Sequence, residues 1–316
     1  MSNGSDTAPP MTSPELETDS ASGDAGEVDG SSIALRPIVT PVLPEGRELE
    51  LEGRGTLSIR HLNAGGPDRE QRPAVMLLHG WTATADLNWF KAYSPLSQHH
   101  EVVAWDHRGH GTGLRTKATF TLEDCADDAI AIADALGIER IIAVGYSMGG
   151  PIAQLMWRRH PDRIAGLVLC ATAPMFVERR DERLSFIGLS GLAALARLTP
   201  AQARNWITDQ VYLQRKAETW EPWAIEQAST HDWRMILEAG RALGNFSSME
   251  WLSEIEQPTS VVITVRDQVV PIDRQVKLIE QIRHAEIFRL NAEHDAAVSC
   301  DRFVPTLLRA VDAVVS

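Results

Sequence analysis

Gly145-Tyr146-Ser147-Met148-Gly149 sets one hydroxyl between two glycines, directly after the apolar run Ile141-Ile142-Ala143-Val144. The G-x-S-x-G pattern, between a strand and a helix, holds a serine on a sharp turn where its oxygen can act as a nucleophile. The glycines have a physical reason. Such a turn forces unfavourable backbone angles and brings chain segments so close that side chains at the flanking positions would clash. The following stretch has Ile152, Leu155 and Met156 on one apolar face and Pro151 in its first turn, so it reads as a helix whose unpaired N–H groups point at Ser147. A hydroxyl is a weak nucleophile unaided, so a base and an orienting acid have to follow. Asp267 stands just after the apolar run Val261 to Val265, and His294 stands in the loop beyond the last predicted strand. Asp273 and Asp295 are the alternatives for the acid, and adjacent loop side chains usually diverge, which disfavours Asp295 beside His294. His284, the nearest rival for the base, precedes that strand. An oxyanion needs N–H donors, which we assign to the backbone amides of Trp81, in Leu78-His79-Gly80-Trp81, and of Met148. The chemistry expected of this set is acyl transfer: Ser147 attacks a carbonyl, His294 takes its proton, Asp267 holds the imidazole, and water releases the acid.

These residues need a scaffold that brings distant loops together. The runs at 74–78, 102–105, 141–144, 167–170, 261–265 and 286–290 are short, apolar and suited to strands buried on both faces. Helical segments separate several of them. In the clearest, Leu122 to Leu136, Thr121 can cap with Asp124 at the third position, an apolar face runs from Leu122 through Cys125, Ala126, Ala129 and Ala133, and Gly137 ends it. Strands alternating with helices predict an α/β fold, a mostly parallel central sheet flanked by helices. Glu48 to His61 adds one or two outer strands. The rhythm stops over 174–250, where helical stretches such as Leu184 to Leu198 take over and Trp206, Trp220, Trp223 and Trp233 gather, with Trp251 just beyond. This region reads as a helical insertion, a lid, into a core formed by 46–173 and 251–316, its tryptophans belonging mainly to the lid's own core and any that face the cleft favouring an apolar acyl or aromatic group.

The chain has 316 residues, 44% of them apolar, enough for a sizeable core. Its first thirty residues hold seven acids and no Lys or Arg among much Ser, Gly and Pro, so 1–45 is expected to be a disordered acidic tail. Without that −7, the net charge of −13 falls to about −6, which argues against a nucleic-acid surface. No basic leader with an apolar core opens the sequence and no apolar stretch is long enough to span a bilayer, so a soluble cytoplasmic protein without a transmembrane segment is expected. Cys125, Cys170 and Cys300 lack C-x-x-C spacing and suggest neither a disulfide framework nor zinc. Asp106-His107-Arg108-Gly109-His110-Gly111 resembles a metal-binding spacing, but its glycines favour a tight loop after a strand, and no metal is expected.

The chain resembles the serine hydrolases of the α/β-hydrolase fold, esterase-like and with a helical lid. The likeness runs from about Gly46 to the C-terminus and rests on HGW at 79–81, DHRGHG at 106–111, GYSMGG at 145–150, RDQVVP at 266–271 and EHD at 293–295. It implies a mostly parallel sheet, a lid in the position of the 174–250 insertion, and no cofactor. One departure stands out: relatives commonly have glycine three residues before the acid, and here that position is Thr264, with Arg266 directly before Asp267. A serine at 147 disfavours the epoxide hydrolases and haloalkane dehalogenases of this fold, which use aspartate there. A small-molecule ester or related acyl compound is the expected substrate. The same residues would also serve a carbon–carbon bond hydrolase, an acyltransferase or a cofactor-free perhydrolase, and the scaffold alone would serve a ligand-binding receptor, so these stay open, as does the oligomeric state.

Overall fold

The computed structural model describes Met1 and residues 41–63, 72–178 and 222–315. Residues 2–40 of the expected tail, the helical stretch expected at Leu184 to Leu198, and Trp206 and Trp220 lie outside the described residues.

Eight described strands form one sheet: β1 (Gly46–Leu51), β2 (Gly55–Leu62), β3 (Ala74–Leu78), β4 (Val102–Trp105), β5 (Ile141–Tyr146), β6 (Ile164–Cys170), β7 (Thr259–Thr264) and β8 (Glu286–Leu290). Their order is β1-β2-β4-β3-β5-β6-β7-β8. The β1/β2 and β2/β4 pairings are antiparallel and every other pairing is parallel, as the alternating pattern predicts. The Glu48–His61 region supplies both outer strands.

The runs of β3 to β7 read as uniformly apolar because both faces of the sheet are covered there, whereas β8, expected to be buried likewise, is an edge strand that exposes Glu286, Ile287 and Arg289 and buries only Leu290 fully. Successive side chains still alternate: Ala74, Met76 and Leu78 enter one core, while Val75 and Leu77 enter the other. The first core receives α3 (Leu122–Ala135), α4 (Gly149–Arg159) and, from further along the chain, α7 (Ile272–Gln281); the second receives α1 (Ala85–Trp89), α2 (Tyr93–Ser97) and α9 (Phe303–Val315). Between β6 and β7 lie α5 (Pro222–Ser229) and α6 (Trp233–Asn245), and α8 (Ala296–Ser299) precedes α9. The boundaries of α3 follow local chemistry: Thr121 Oγ1 accepts the Asp124 N–H at 3.0 Å, and Gly137 takes φ +70° just past the end. Trp223 is buried edge-on to Phe90, and Trp251 stacks on Trp157, so these two tryptophans do packing work.

The strand order fixes where chemistry can occur. From β3 the chain steps out to β4 and returns to β5 on the other side of β3, so the loops leaving β3 and β5 emerge side by side, with Leu78 opposite Gly145. That reversal opens a crevice at the carboxyl ends of the strands. The loops after β7 and β8 reach the same edge and are joined, the Arg266 N–H donating to the Ala292 carbonyl at 3.0 Å.

Candidate active site

Ser147 has φ +52°, a left-handed conformation that costs a non-glycine residue about 1–3 kcal/mol and has to be held by its surroundings. The Ser147 N–H donates to the Cys170 carbonyl at 3.0 Å, and the Ser147 carbonyl accepts the Gly150 N–H at 2.9 Å and the Thr172 hydroxyl at 2.7 Å. The flanking glycines are required by close approach. A Cβ on Gly149 would come closer than 3.0 Å to the Leu78 carbonyl oxygen, and one on Gly145 would meet the Gly149 backbone equally closely. Both obstacles are backbone, which cannot rotate away. Gly149→Ala is therefore expected to destabilise the fold by about 3 kcal/mol, the upper part of the range for overpacking. A urea midpoint equal to that of the wild type would contradict this.

Asp267 and His294 converge on that serine from the loops after β7 and β8. His294 Nε2 is 2.9 Å from Ser147 Oγ, and His294 Nδ1 is 2.7 Å from Asp267 Oδ2. The carboxylate can only accept, so the network assigns the proton to Nδ1 and leaves Nε2 to accept from the serine hydroxyl. Asp267 is buried with four donors: the Val269 and Val270 N–H groups on Oδ1 at 2.9 and 2.8 Å, and the Thr264 hydroxyl, at 2.8 Å, with His294 on Oδ2. The alternatives go elsewhere. Asp273 sits in the first turn of α7, Asp295 Oδ1 accepts from Ser299, and His284 bonds the Gln257 carbonyl.

The assigned amides flank the serine. Gly80 is held by its N–H donating to Asn88 Oδ1 at 2.7 Å, and a Cβ there would lie 3.3 Å from Ser147 Cβ, so the HGW loop runs against the elbow. Met148 precedes the first turn of α4. Neither the Trp81 nor the Met148 backbone N–H donates to an acceptor among the described residues. Two features were not visible in the sequence: the Tyr146 hydroxyl donates to the His294 carbonyl at 2.6 Å, and Thr172 holds the serine carbonyl.

Residues 73–298 match the sequence pattern of the alpha/beta hydrolase fold family. The chain belongs to that family. RutD of Caulobacter vibrioides, provisionally named a carbamate hydrolase, is 34% identical to this α/β hydrolase over 239 residues, covering 73% of it and 87% of the relative. Two crystal structures share the fold. A hydrolase from Pseudomonas aeruginosa PA01 superposes with a TM-score of 0.70 at 21% identity, covering 85% of this chain and 99% of that one. The enol-lactonase from Burkholderia xenovorans LB400 does so with 0.69 at 22%, covering 84% and 100%. Among the described residues of this α/β hydrolase, no helix is long and apolar enough to cross a membrane.

Next to the elbow the α/β hydrolase buries four imidazoles. His79 packs 4.2 Å from His107 and 5.1 Å from His110, centroid to centroid, and His110 packs 5.4 Å from His231. The DHRGHG segment is a braced turn: Asp106 accepts the Ala85 and Thr112 N–H groups, each at 2.7 Å, and Gly109 and Gly111 take positive φ. No cluster arranged to hold a metal ion occurs among the described residues. His79 Nε2 accepts the His107 N–H, leaving Nδ1–H for the Gly80 carbonyl; His231 Nδ1 accepts the Gly111 N–H, leaving Nε2–H for the Thr82 carbonyl. Each can accept only while neutral. Burial agrees, lowering His79 and His231 to about 4 and His107 and His110 well below the ordinary histidine value. The unfolded chain binds these protons from about pH 6.5 downward and the folded one does not, so stability is complete above pH 6.5 and lost on acidification. Each of His79 and His231 contributes a slope of about 1.4 kcal/mol per pH unit between pH 6.5 and 4. Urea midpoints should fall steadily from pH 7 to pH 5; a flat profile would contradict the neutral cluster.

Proposed function

We propose that this α/β hydrolase is a serine hydrolase that cleaves a carboxylic ester of a small molecule through an acyl-enzyme intermediate. Ser147 is the nucleophile, His294 the general base and then acid, Asp267 the orienting acid, and the Trp81 and Met148 amides the oxyanion donors. The observation that carries this reading is the unbroken chain from Ser147 Oγ through both nitrogens of His294 to a buried Asp267, at 2.9 and 2.7 Å. Ser147 Oγ bonds to the ester carbonyl carbon as its proton passes to His294 Nε2. Collapse of the tetrahedral intermediate breaks the bond to the alcohol, which leaves with that proton. Water then gives a proton to His294 and its oxygen to the acyl carbon, releasing the carboxylic acid and restoring Ser147.

The 174–250 insertion serves as the lid. Its support is the position of α5 and α6 between β6 and β7 and the Trp81 indole N–H donating to the Ile236 carbonyl of α6 at 2.9 Å, a tie between insertion and oxyanion loop. Trp81, partly buried beside the elbow, favours an apolar acyl or aromatic group. Three unpaired cysteines suit a reducing compartment, and we assign the protein to the cytoplasm. A second reading, carbamate hydrolysis, is favoured by the RutD relative, since attack on a carbamate carbonyl calls on the same groups. Steady-state hydrolysis of p-nitrophenyl acetate and butyrate, set against a p-nitrophenyl carbamate, separates the two. Ester turnover lost in Ser147→Ala supports the first reading, faster carbamate turnover supports the second, and turnover unchanged in Ser147→Ala overturns both.

A further inference from the structure

Thr264 ends β7 three residues before Asp267. Its hydroxyl lies 2.8 Å from Asp267 Oδ2, the same oxygen that receives His294 Nδ1. Behind it stands Gln275, a fully buried polar side chain on the core face of α7, one turn before the buried Leu278. The Gln275 amide leaves no freedom in that corner. Its Oε1 accepts the Thr264 N–H at 3.0 Å, and its Nε2 donates to the Val270 carbonyl at 2.7 Å and to the Thr264 carbonyl at 3.1 Å. Nε2 is also 3.1 Å from Thr264 Oγ1. The Thr264 hydroxyl has two acceptors in reach, Asp267 Oδ2 at 2.8 Å and Gln275 Oε1 at 3.3 Å, and the shorter bond, to the charged carboxylate, takes its hydrogen.

We propose that Thr264, pinned by Gln275, is a positioning residue that aims the Asp267 carboxylate at His294. The inference rests on the reading of Asp267 as the orienting acid. The Val269 and Val270 N–H groups anchor Oδ1 alone, so they leave the carboxylate able to pivot about that oxygen. The Thr264 hydroxyl closes the second side and fixes Oδ2 where His294 Nδ1 meets it. A residue without a hydroxyl at 264 would leave Oδ2 with His294 alone. In this chain the pair Thr264 and Gln275 supplies from side chains an orientation that a glycine there cannot supply.

The test uses two variants that lose the same methyl and differ only in the hydroxyl, Thr264→Ser and Thr264→Ala, assayed with p-nitrophenyl acetate and by the rate of fluorophosphonate labelling. A hydrogen bond to a charged group predicts that the alanine variant loses about tenfold in kcat with KM unchanged, while the serine variant stays within about twofold of wild type. The far-downfield proton resonance of His294 Nδ1–H should shift in Thr264→Ala and keep its wild-type position in Thr264→Ser. That signal reads the carboxylate–imidazole bond directly and does not respond to lost packing elsewhere. Equal kcat and an equal resonance in the two variants would overturn the inference. If Asp267→Asn meanwhile abolishes fast labelling, the reading of Asp267 survives and only the role of Thr264 falls. If Asp267→Asn labels like wild type, the reading of Asp267 and this inference fall together.

Discussion

His294→Ala lowers kcat for an activated ester by roughly 10⁵–10⁶-fold with little change in KM, and Ser147→Ala does the same. The expectation follows from their 2.9 Å hydrogen bond: each depends on the other, the serine for a proton acceptor and the histidine for a proton to accept. The double variant should be no slower than either single one, because groups that act as a unit are not additive. Residual turnover above the uncatalysed rate should persist, since the Trp81 and Met148 amides survive both changes. Wild-type and variant rates within tenfold of each other, on protein shown folded by circular dichroism, would contradict this account.

Asp267→Asn is expected to cost about 10⁴ in kcat while leaving the fold intact. The local hydrogen bonds dictate which way the amide sits. The Asp267 Oδ1 site faces two backbone donors, Val269 N–H and Val270 N–H, so the asparagine carbonyl has to occupy it. The amide NH₂ then takes the Oδ2 site, 2.7 Å from His294 Nδ1, and offers a donor where an acceptor stood. His294 can pair with it only by moving its proton from Nδ1 to Nε2. That leaves an N–H facing Ser147 Oγ, in the wrong tautomer to take the serine proton. Single-turnover acylation measured across pH checks this. A rate within tenfold of wild type would remove Asp267 from the mechanism.

The ease with which each part could be read from sequence tracks how local its cause is. Ser147 was legible because its turn is written into seven consecutive residues, where strand, glycines and helix start all state one geometry. The β3 to β7 core was legible because burial on both faces produces continuous apolar runs, while β8, at the sheet edge, keeps Glu286 and Arg289 exposed. Asp267 was harder to assign, since Thr264 breaks the expected loop pattern, and its explanation required Gln275, a residue whose relevance appears only once α7 packs beneath β7. The position of Gln275, three residues before Leu278 and so on the apolar face of α7, was the available hint. The bond from the Trp81 indole to the Ile236 carbonyl spans 155 positions and had no sequence signal, because no local propensity encodes it. The histidine cluster is intermediate. Three members lie in the HGW and DHRGHG motifs, but His231 comes from the segment between α5 and α6 and joins only through tertiary packing.

The central claim, that Ser147 is an activated nucleophile, is tested most directly by covalent labelling with a fluorophosphonate, read by intact mass and peptide mapping. One adduct per chain on Ser147, absent in Ser147→Ala and sharply slowed in His294→Ala and Asp267→Asn, is the predicted result. A folded wild-type protein that forms no adduct, or forms it at another residue, would contradict the account.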